Sequence, residues 1–281
     1  MDDRGSRTAR MVARFRALAR ESFRGIADDP WAASFADETA IVDAAKYIEV
    51  HPHSALYAAL RTATFDDEVR AAMRAGIRQI VILGAGLDTR AARLAMPGVR
   101  FFEVDHPATQ EDKRARLAKM EGYPKDAATY VSCDFEHEDF LDRLAASGHQ
   151  ASEPSLFVWE GVVYYLTEAA VRATCTRIAS ACHAATRLAL DLVGKRFVRG
   201  EVKPGDDTRA RELVAEMGEP LRFGTDDPLP LLFECGFRFV EQRSFDELAL
   251  RYTGTYDRAR KMRFQSVVLA SVTPREAPAR G

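Results

Sequence analysis

Four short apolar runs in this chain each end in a glycine or an acid. Ile80-Val81-Ile82-Leu83 is followed by Gly84-Ala85-Gly86, and Phe101-Phe102-Glu103-Val104 by Asp105. Thr129-Tyr130-Val131 leads to Asp134, and Leu156-Phe157-Val158-Trp159 to Glu160. If the runs are strands of an open α/β sheet, these residues collect beyond the carboxyl ends of the strands, where such sheets bind ligands. A partly buried acid is costly without a partner, so several together point to a ligand with hydroxyl and amino groups. The glycines let the backbone turn tightly and approach that ligand. Asp105 follows Gly84 by 21 residues, near the ~20 expected for an acid that accepts from ribose hydroxyls.

The same fingerprint serves nicotinamide enzymes, so the two readings must be separated. The third glycine of G-x-G-x-x-G is replaced by Thr89, and Asp88 lies just beyond the loop, where a diphosphate would want helix N-terminal N–H groups and no acid. No Tyr is followed four residues later by Lys, so a short-chain-dehydrogenase dyad is missing. A ligand with ribose and adenine but no phosphate fits better, and S-adenosylmethionine has that composition together with a sulfonium that acids tolerate. An NAD(P)-dependent oxidoreductase and a non-catalytic cofactor-binding scaffold are the alternatives.

Three motifs carry a family resemblance. Val81-Ile82-Leu83-Gly84-Ala85-Gly86-Leu87-Asp88-Thr89-Arg90, Phe102-Glu103-Val104-Asp105-His106-Pro107 with Lys113 downstream, and Trp159-Glu160-Gly161-Val162-Val163-Tyr164-Tyr165-Leu166 resemble the leucine carboxyl methyltransferase family. That family includes protein phosphatase carboxyl methyltransferases and bacterial polyketide O-methyltransferases similar to the tetracenomycin carboxyl methyltransferase. The likeness covers roughly residues 8–192. It implies an α/β fold with a doubly wound, Rossmann-like class I methyltransferase sheet, mostly parallel with an antiparallel last strand, beneath an N-terminal helical cap.

By the same resemblance, Gly84, Ala85 and Gly86 pass the methionine moiety of S-adenosylmethionine, and Asp105 holds its ribose. Asp134 and Phe135 bracket adenine, with Phe where the family usually has Leu. Glu160 lies near the amino end, and Arg61 pairs with the cofactor carboxylate, a task that suits a bidentate guanidinium. Each residue also has a plainer reading. Asp134 sits among Glu136, Glu138, Asp139 and Asp142 and could be a helix N-cap in an acidic turn. Asp88 and Arg90 read as a local scaffold pair, and Arg61 could be a surface arginine.

Methyl transfer from a sulfonium to a carboxylate needs no general base, because the acceptor is already ionised; positioning and desolvation suffice. No obligatory catalytic residue is therefore expected. A phenol or alcohol acceptor would benefit from a base, for which His51, His53 and His106 are candidates. His51, His53, Tyr164 and Tyr165 are the candidate acceptor contacts, with one tyrosine expected in the core and the other in the pocket. The expected acceptor is a small molecule of secondary metabolism, methylated on a carboxylate or hydroxyl.

An α/β domain must position these residues. Residues 6–75 read as helical, with turns at Asp29-Pro30 and His51-Pro52-His53, and helices are expected at 88–94, 107–120 and 167–181. Further strands are expected at 187–193, 237–243 and 265–271. The organisation expected is a helical cap over 1–75, a cofactor-binding α/β domain over 76–273 with a lid-like insertion at 194–225, and a disordered tail at 274–281.

Composition agrees with that frame. The chain has 281 residues, 47% hydrophobic and 29% charged, with a net charge of −2. It is long enough to bury a core without disulfide or metal staples. Near-neutral charge argues against a nucleic-acid partner. The four cysteines form no C-x-x-C pair, which suits free thiols in a reducing, cytoplasmic setting and no metal site. No apolar run approaches the ~20 residues that span a bilayer. Residues 4–20 hold six Arg and no acid; this resembles a presequence, but the pattern runs on into Phe23 and Ile26 and reads as a helix of the folded domain.

Overall fold

The apolar runs pair into one seven-stranded sheet. Its strands are β1 (Gln79–Leu83), β2 (Arg100–Asp105), β3 (Thr129–Ser132), β4 (Ser155–Trp159), β5 (Arg187–Val193), β6 (Phe239–Ser244) and β7 (Gln265–Ser271), in the order β3-β2-β1-β4-β5-β7-β6. The computed structural model describes residues 5–135, 137–201, 208–257 and 264–274. Pairings among β1 to β5 are parallel, and β7 runs antiparallel to both β5 and β6. The mostly parallel sheet with an antiparallel last strand is therefore present. β1 and β4 are buried along their whole length, as expected of central strands covered on both faces.

Each face has its own apolar layer. On one, Phe102, Val104, Phe157 and Trp159 meet α7 (Phe140–Ala146), α8 (Glu168–Ala181) and α11 (Leu229–Glu234) through Leu144, Ile178 and Leu232. On the other, Ile80, Ile82, Val158 and Leu269 meet α4 (Ser54–Arg74) and α12 (Phe245–Thr253) through Phe65, Val69 and Phe245. α4 is the pillar of that second layer, with Leu60, Phe65, Val69 and Ala72 all inaccessible to solvent.

The remaining N-terminal helices are α1 (Arg7–Ser22), α2 (Ala32–Phe35) and α3 (Glu38–Val50). Ser6 and Asp37 cap α1 and α3 by accepting from Ala9 and Ala40 N–H groups. α1 buries Met11, Phe15 and Ala19 while Arg7, Arg16 and Arg20 pair with Asp43, Asp29 and Asp28. The Arg-rich segment is thus part of the packed fold.

Three boundaries differ from expectation. The helix expected over 88–94 is only a single turn, α5 (Arg90–Arg93), because the Asp88 carboxylate accepts the Arg90 N–H and Pro97 and Gly98 soon turn the chain. β6 starts at Phe239, two residues late, because the Phe237 N–H closes the turn after α11 on Leu232. Within 194–225 the described residues form α9 (Lys195–Arg199) and α10 (Thr208–Glu216) and no strand. Of the expected tail at 274–281, all but Pro274 lies outside the described residues.

One buried ion pair fixes α6 (Pro107–Ala118) to β2. Lys113 Nζ donates to Glu103 Oε2 and, at 2.6 Å, to the Asp88 carbonyl, with both side chains 1% exposed. Burial lifts the Glu103 carboxyl to about 7 despite the attraction of Lys113. Because that value exceeds the one in the unfolded chain, the folded state keeps the proton longer and the carboxyl destabilises the fold as pH rises above about 4.3. Lys113→Met should cost about 3–5 kcal/mol near pH 8. Its stability in urea unfolding should fall steeply from pH 5 to 8, and adding Glu103→Gln should flatten that dependence.

Candidate cofactor and acceptor site

The switch in strand order, where β1 lies between β2 and β4, brings Gly84, Gly86, Asp105 and Glu160 to neighbouring strand ends. Gly84 and Gly86 have φ of +61° and +48°. Asp105 accepts the Gly86 N–H on one carboxylate oxygen and the His106 N–H, at 2.7 Å, on the other. Asp105 therefore shapes the glycine loop as well as facing the site. Burial is the larger influence on its carboxyl and pushes it up to about 6, against the two N–H donors.

The loop is closed in from two sides. A Cβ on Gly84 would lie 2.5 Å from Val162 Cγ2, and one on Gly86 would lie 3.3 Å from Ala9 Cβ of α1. Arg16 of α1 also donates to the Leu87 carbonyl at 2.6 Å. The N-terminal helix thus roofs the loop, a role its amphipathic pattern did not reveal.

Beside the loop lies a buried ionic network. Glu160 is held by two guanidiniums, with Arg61 Nε at 3.0 Å from Oε1 and Arg90 Nη2 at 2.6 Å from Oε2. Arg90 also meets Asp66 at 2.8 Å and Asp88, and Arg93 meets Asp66. Arg61 Nη1 lies 3.5 Å from Asp191 of β5 and 3.4 Å from the Tyr164 hydroxyl. Asp191 accepts the Gly161 N–H at 2.6 Å, and burial raises its carboxyl despite Arg61.

Arg61 is 4% exposed, so the surface reading fails, and its partners here are Glu160 and Asp191 of its own chain. Asp88 and Arg90 do pair locally, but Arg90 is also the second clamp on Glu160. Asp66 and Asp191 are site-building residues that sequence reasoning missed, and the hold of Arg90 on Glu160 is a second role beyond its expected pairing with Asp88. The signal for Asp191 was available: an acid inside the apolar run Leu188-Ala189-Leu190-Asp191-Leu192-Val193 needs a buried partner.

Asp134 and Phe135 follow β3, one strand beyond Asp105. The Asp134 N–H donates to Glu138 at 2.8 Å, and Phe135 is half-buried with its ring 6.1 Å from Phe140. Asp134 caps the acidic turn with its carbonyl, which accepts from His137 and Glu138 N–H groups.

The acceptor candidates converge elsewhere. His51, His53, Tyr164 and Tyr165, together with Arg61, line one cavity of about 230 Å³. α1, α3, α4, α10 and the Val163–Tyr165 turn form its walls. Both tyrosines line it, contrary to the expected division, with rings 4.7 Å apart in edge contact. Burial raises both phenols, so neither is a base near neutral pH. His51 stacks on Tyr47 at 5.3 Å. His106 does not line the cavity; its Nδ1 accepts the Ala108 N–H at 3.3 Å and caps α6, which removes it as a base. Arg61 and Tyr164 belong both to the ionic network and to the cavity wall, joining the two halves of the site. Among the described residues no cluster of His, Cys, Asp or Glu could hold a metal ion.

Gly84 and Gly98 share a left-handed backbone, but only Gly84 is crowded; at Gly98 (φ +78°) a Cβ would meet open space. Gly98→Ala should lose only the backbone preference, about 1–2 kcal/mol. Gly84→Ala should lose roughly 1–3 kcal/mol more from overpacking against Val162, which parallel thermal melts of the two variants would measure.

The profile of the leucine carboxyl methyltransferase family matches residues 9–179. A Streptomyces coelicolor protein to which S-adenosyl-L-methionine-dependent methyltransferase activity is ascribed is 36% identical over 242 residues, covering 82% of each chain. A Mycobacterium marinum protein with the same ascription is 34% identical over 236 residues, 76% of this chain and 74% of its own. Among solved structures, a DUF574 family protein from Streptomyces avermitilis superposes with a TM-score of 0.67 at 16% identity, over 97% of this chain and 99% of that one. A second, from Thermobifida fusca, gives 0.61 at 18% identity over 96% of each. At such identities the two structures speak for the fold alone.

Proposed function

The chain belongs to the leucine carboxyl methyltransferase family of S-adenosylmethionine-dependent methyltransferases, and on that premise we propose that it methylates a carboxylate or hydroxyl oxygen of a small molecule. The observation that carries this reading is the convergence of Arg61, His51, His53, Tyr164 and Tyr165 on one cavity that adjoins the strand-end site through Arg61. When bound, S-adenosylmethionine supplies an electrophilic methyl on a sulfonium. Gly84, Ala85 and Gly86 would hold its methionine part, Asp105 its ribose, and Asp134 and Phe135 its adenine. Arg61 and Glu160 would meet its amino-acid end. The residues fit that group: the glycine loop admits no Cβ at Gly84, and an acid stands at the end of each flanking strand.

The chain's own contribution is orientation and exclusion of water. Aromatic walls desolvate an acceptor oxygen, which makes it more nucleophilic. A carboxylate acceptor needs no proton removed; a hydroxyl acceptor would give its proton to His51 or His53. The nicotinamide alternative is disfavoured because the Asp88 carboxylate takes the Arg90 N–H at the start of α5, a helix of four residues, and sets an acid where a diphosphate would need N–H donors. No described helix is long and apolar enough to cross a membrane. We place the enzyme in the cytoplasm and in secondary metabolism, with 1–75 as its helical cap and 194–225 as its lid.

Calorimetry should give S-adenosylmethionine binding and no NADH binding, and tight NADH binding alone would sink the proposal. A methyl-transfer screen across carboxylic acids, phenols and a peptide C-terminus then identifies the acceptor. Because Asp105 accepts ribose hydroxyls best when ionised and titrates near 6, S-adenosylmethionine affinity should fall about tenfold from pH 8 to pH 5. Asp105→Asn should bind weakly at both pH values.

A further inference from the structure

The acceptor cavity is short of negative charge. None of its described lining residues is Asp or Glu, whereas Arg61, Arg211, His51 and His53 are all present. Arg61 is already neutralised by Glu160 and Asp191. Arg211, on α10, is different: it is partly buried, and no described acid or hydrogen-bond acceptor engages it. Other partly buried arginines are matched by acids, as Arg7, Arg16, Arg90, Arg93 and Arg116 are.

Its position is set by packing. Ala210, Leu213 and Val214 bury the inner face of α10, and the Arg211 guanidinium rests on Gly200, where a Cβ would collide with it. Gly200, at φ +70°, closes α9. The segment after α10 is tied to the reaction side of the cavity, since the Arg222 N–H donates to the Tyr164 carbonyl at 2.8 Å. A seated guanidinium with no partner among the described residues, in an aromatic cavity whose described lining holds no acid, is placed to recognise an anion.

We infer that Arg211 anchors an acid group of the acceptor that is not itself methylated, so the acceptor is a planar, largely apolar molecule with a second, reacting oxygen. The inference rests on the methyltransferase reading. A carboxylate clamped by a guanidinium has its negative charge drawn toward that cation and is a weakened nucleophile, so the anchored acid and the methylated oxygen are separate groups. Arg61 and Tyr164 mark the end nearest the strand-end site, and Arg211 belongs to the separate wall that α10 provides.

The test uses the full chain saturated with S-adenosylhomocysteine and two probe pairs: 6-hydroxy-2-naphthoate against its amide, and 4-hydroxycinnamate against its amide. Wild type should bind at least one acid tenfold or more tightly than its amide. Arg211→Gln should reduce that ratio to within twofold and leave S-adenosylhomocysteine affinity unchanged, while Arg211→Lys keeps part of the preference. With S-adenosylmethionine, mass spectrometry should find the methyl on the hydroxyl and the acid free. No acid preference in wild type, no binding of either pair, a preference that survives Arg211→Gln, or a methyl ester at the acid each overturns the inference. Failure of S-adenosylhomocysteine itself to bind would instead overturn the methyltransferase reading.

Discussion

Two buried guanidiniums hold one carboxylate at the centre of this molecule. Arg61 comes from α4, Arg90 from the turn after the glycine loop, and Glu160 from the end of β4. Each charge has left water, and removing one member of such a group strands the others at a cost of about 3–5 kcal/mol. The geometry of the site follows from meeting that demand. Asp66 and Asp88 complete Arg90, Asp191 completes Arg61, and Gly161 completes Asp191. α4, α5, β4 and β5 are thereby brought into register at one end of the sheet.

That arrangement also explains how the site is divided. The side proposed for the cofactor is made from strand ends and the loop after β1, positions dictated by the sheet. The side proposed for the acceptor is made from α1, α3, α4, α9 and α10, which lie outside it. Arg61 and Tyr164 are shared, so the orientation of one half is set by contacts that also fix the other.

Legibility in the sequence tracked locality. β1, β4, β5 and β7 are readable because apolar runs end at Gly84, Glu160, Gly194 and Thr273-Pro274, and the glycine loop and Asp105 because their spacing is a chain-local signature. α5 is shorter than its pattern predicts because a helical apolar pattern says nothing of Asp88 capturing the Arg90 N–H. The partners of Glu160 were not legible at all: Arg90 lies 70 residues away, and only the strand order brings them together. Adjacent tyrosines are expected on opposite sides of the chain, yet a single tight turn, Val163–Tyr165, presents both to the cavity.

The roof over the glycine loop carries a consequence for how the chain comes into being. α1 leaves the ribosome with its arginines and its apolar face ready, but Leu87, to which Arg16 donates, lies 71 residues later. At ordinary synthesis rates the helix waits roughly 4–14 s for that surface. Its five arginines, Arg7, Arg10, Arg14, Arg16 and Arg20, carry like charge, and Arg7 and Arg16 meet their acids, Asp43 and Asp29, only once later segments have emerged. The roof of the loop is thus the first helix of the described chain and among the last to gain its full set of contacts, because its partner at Leu87 is distant in sequence.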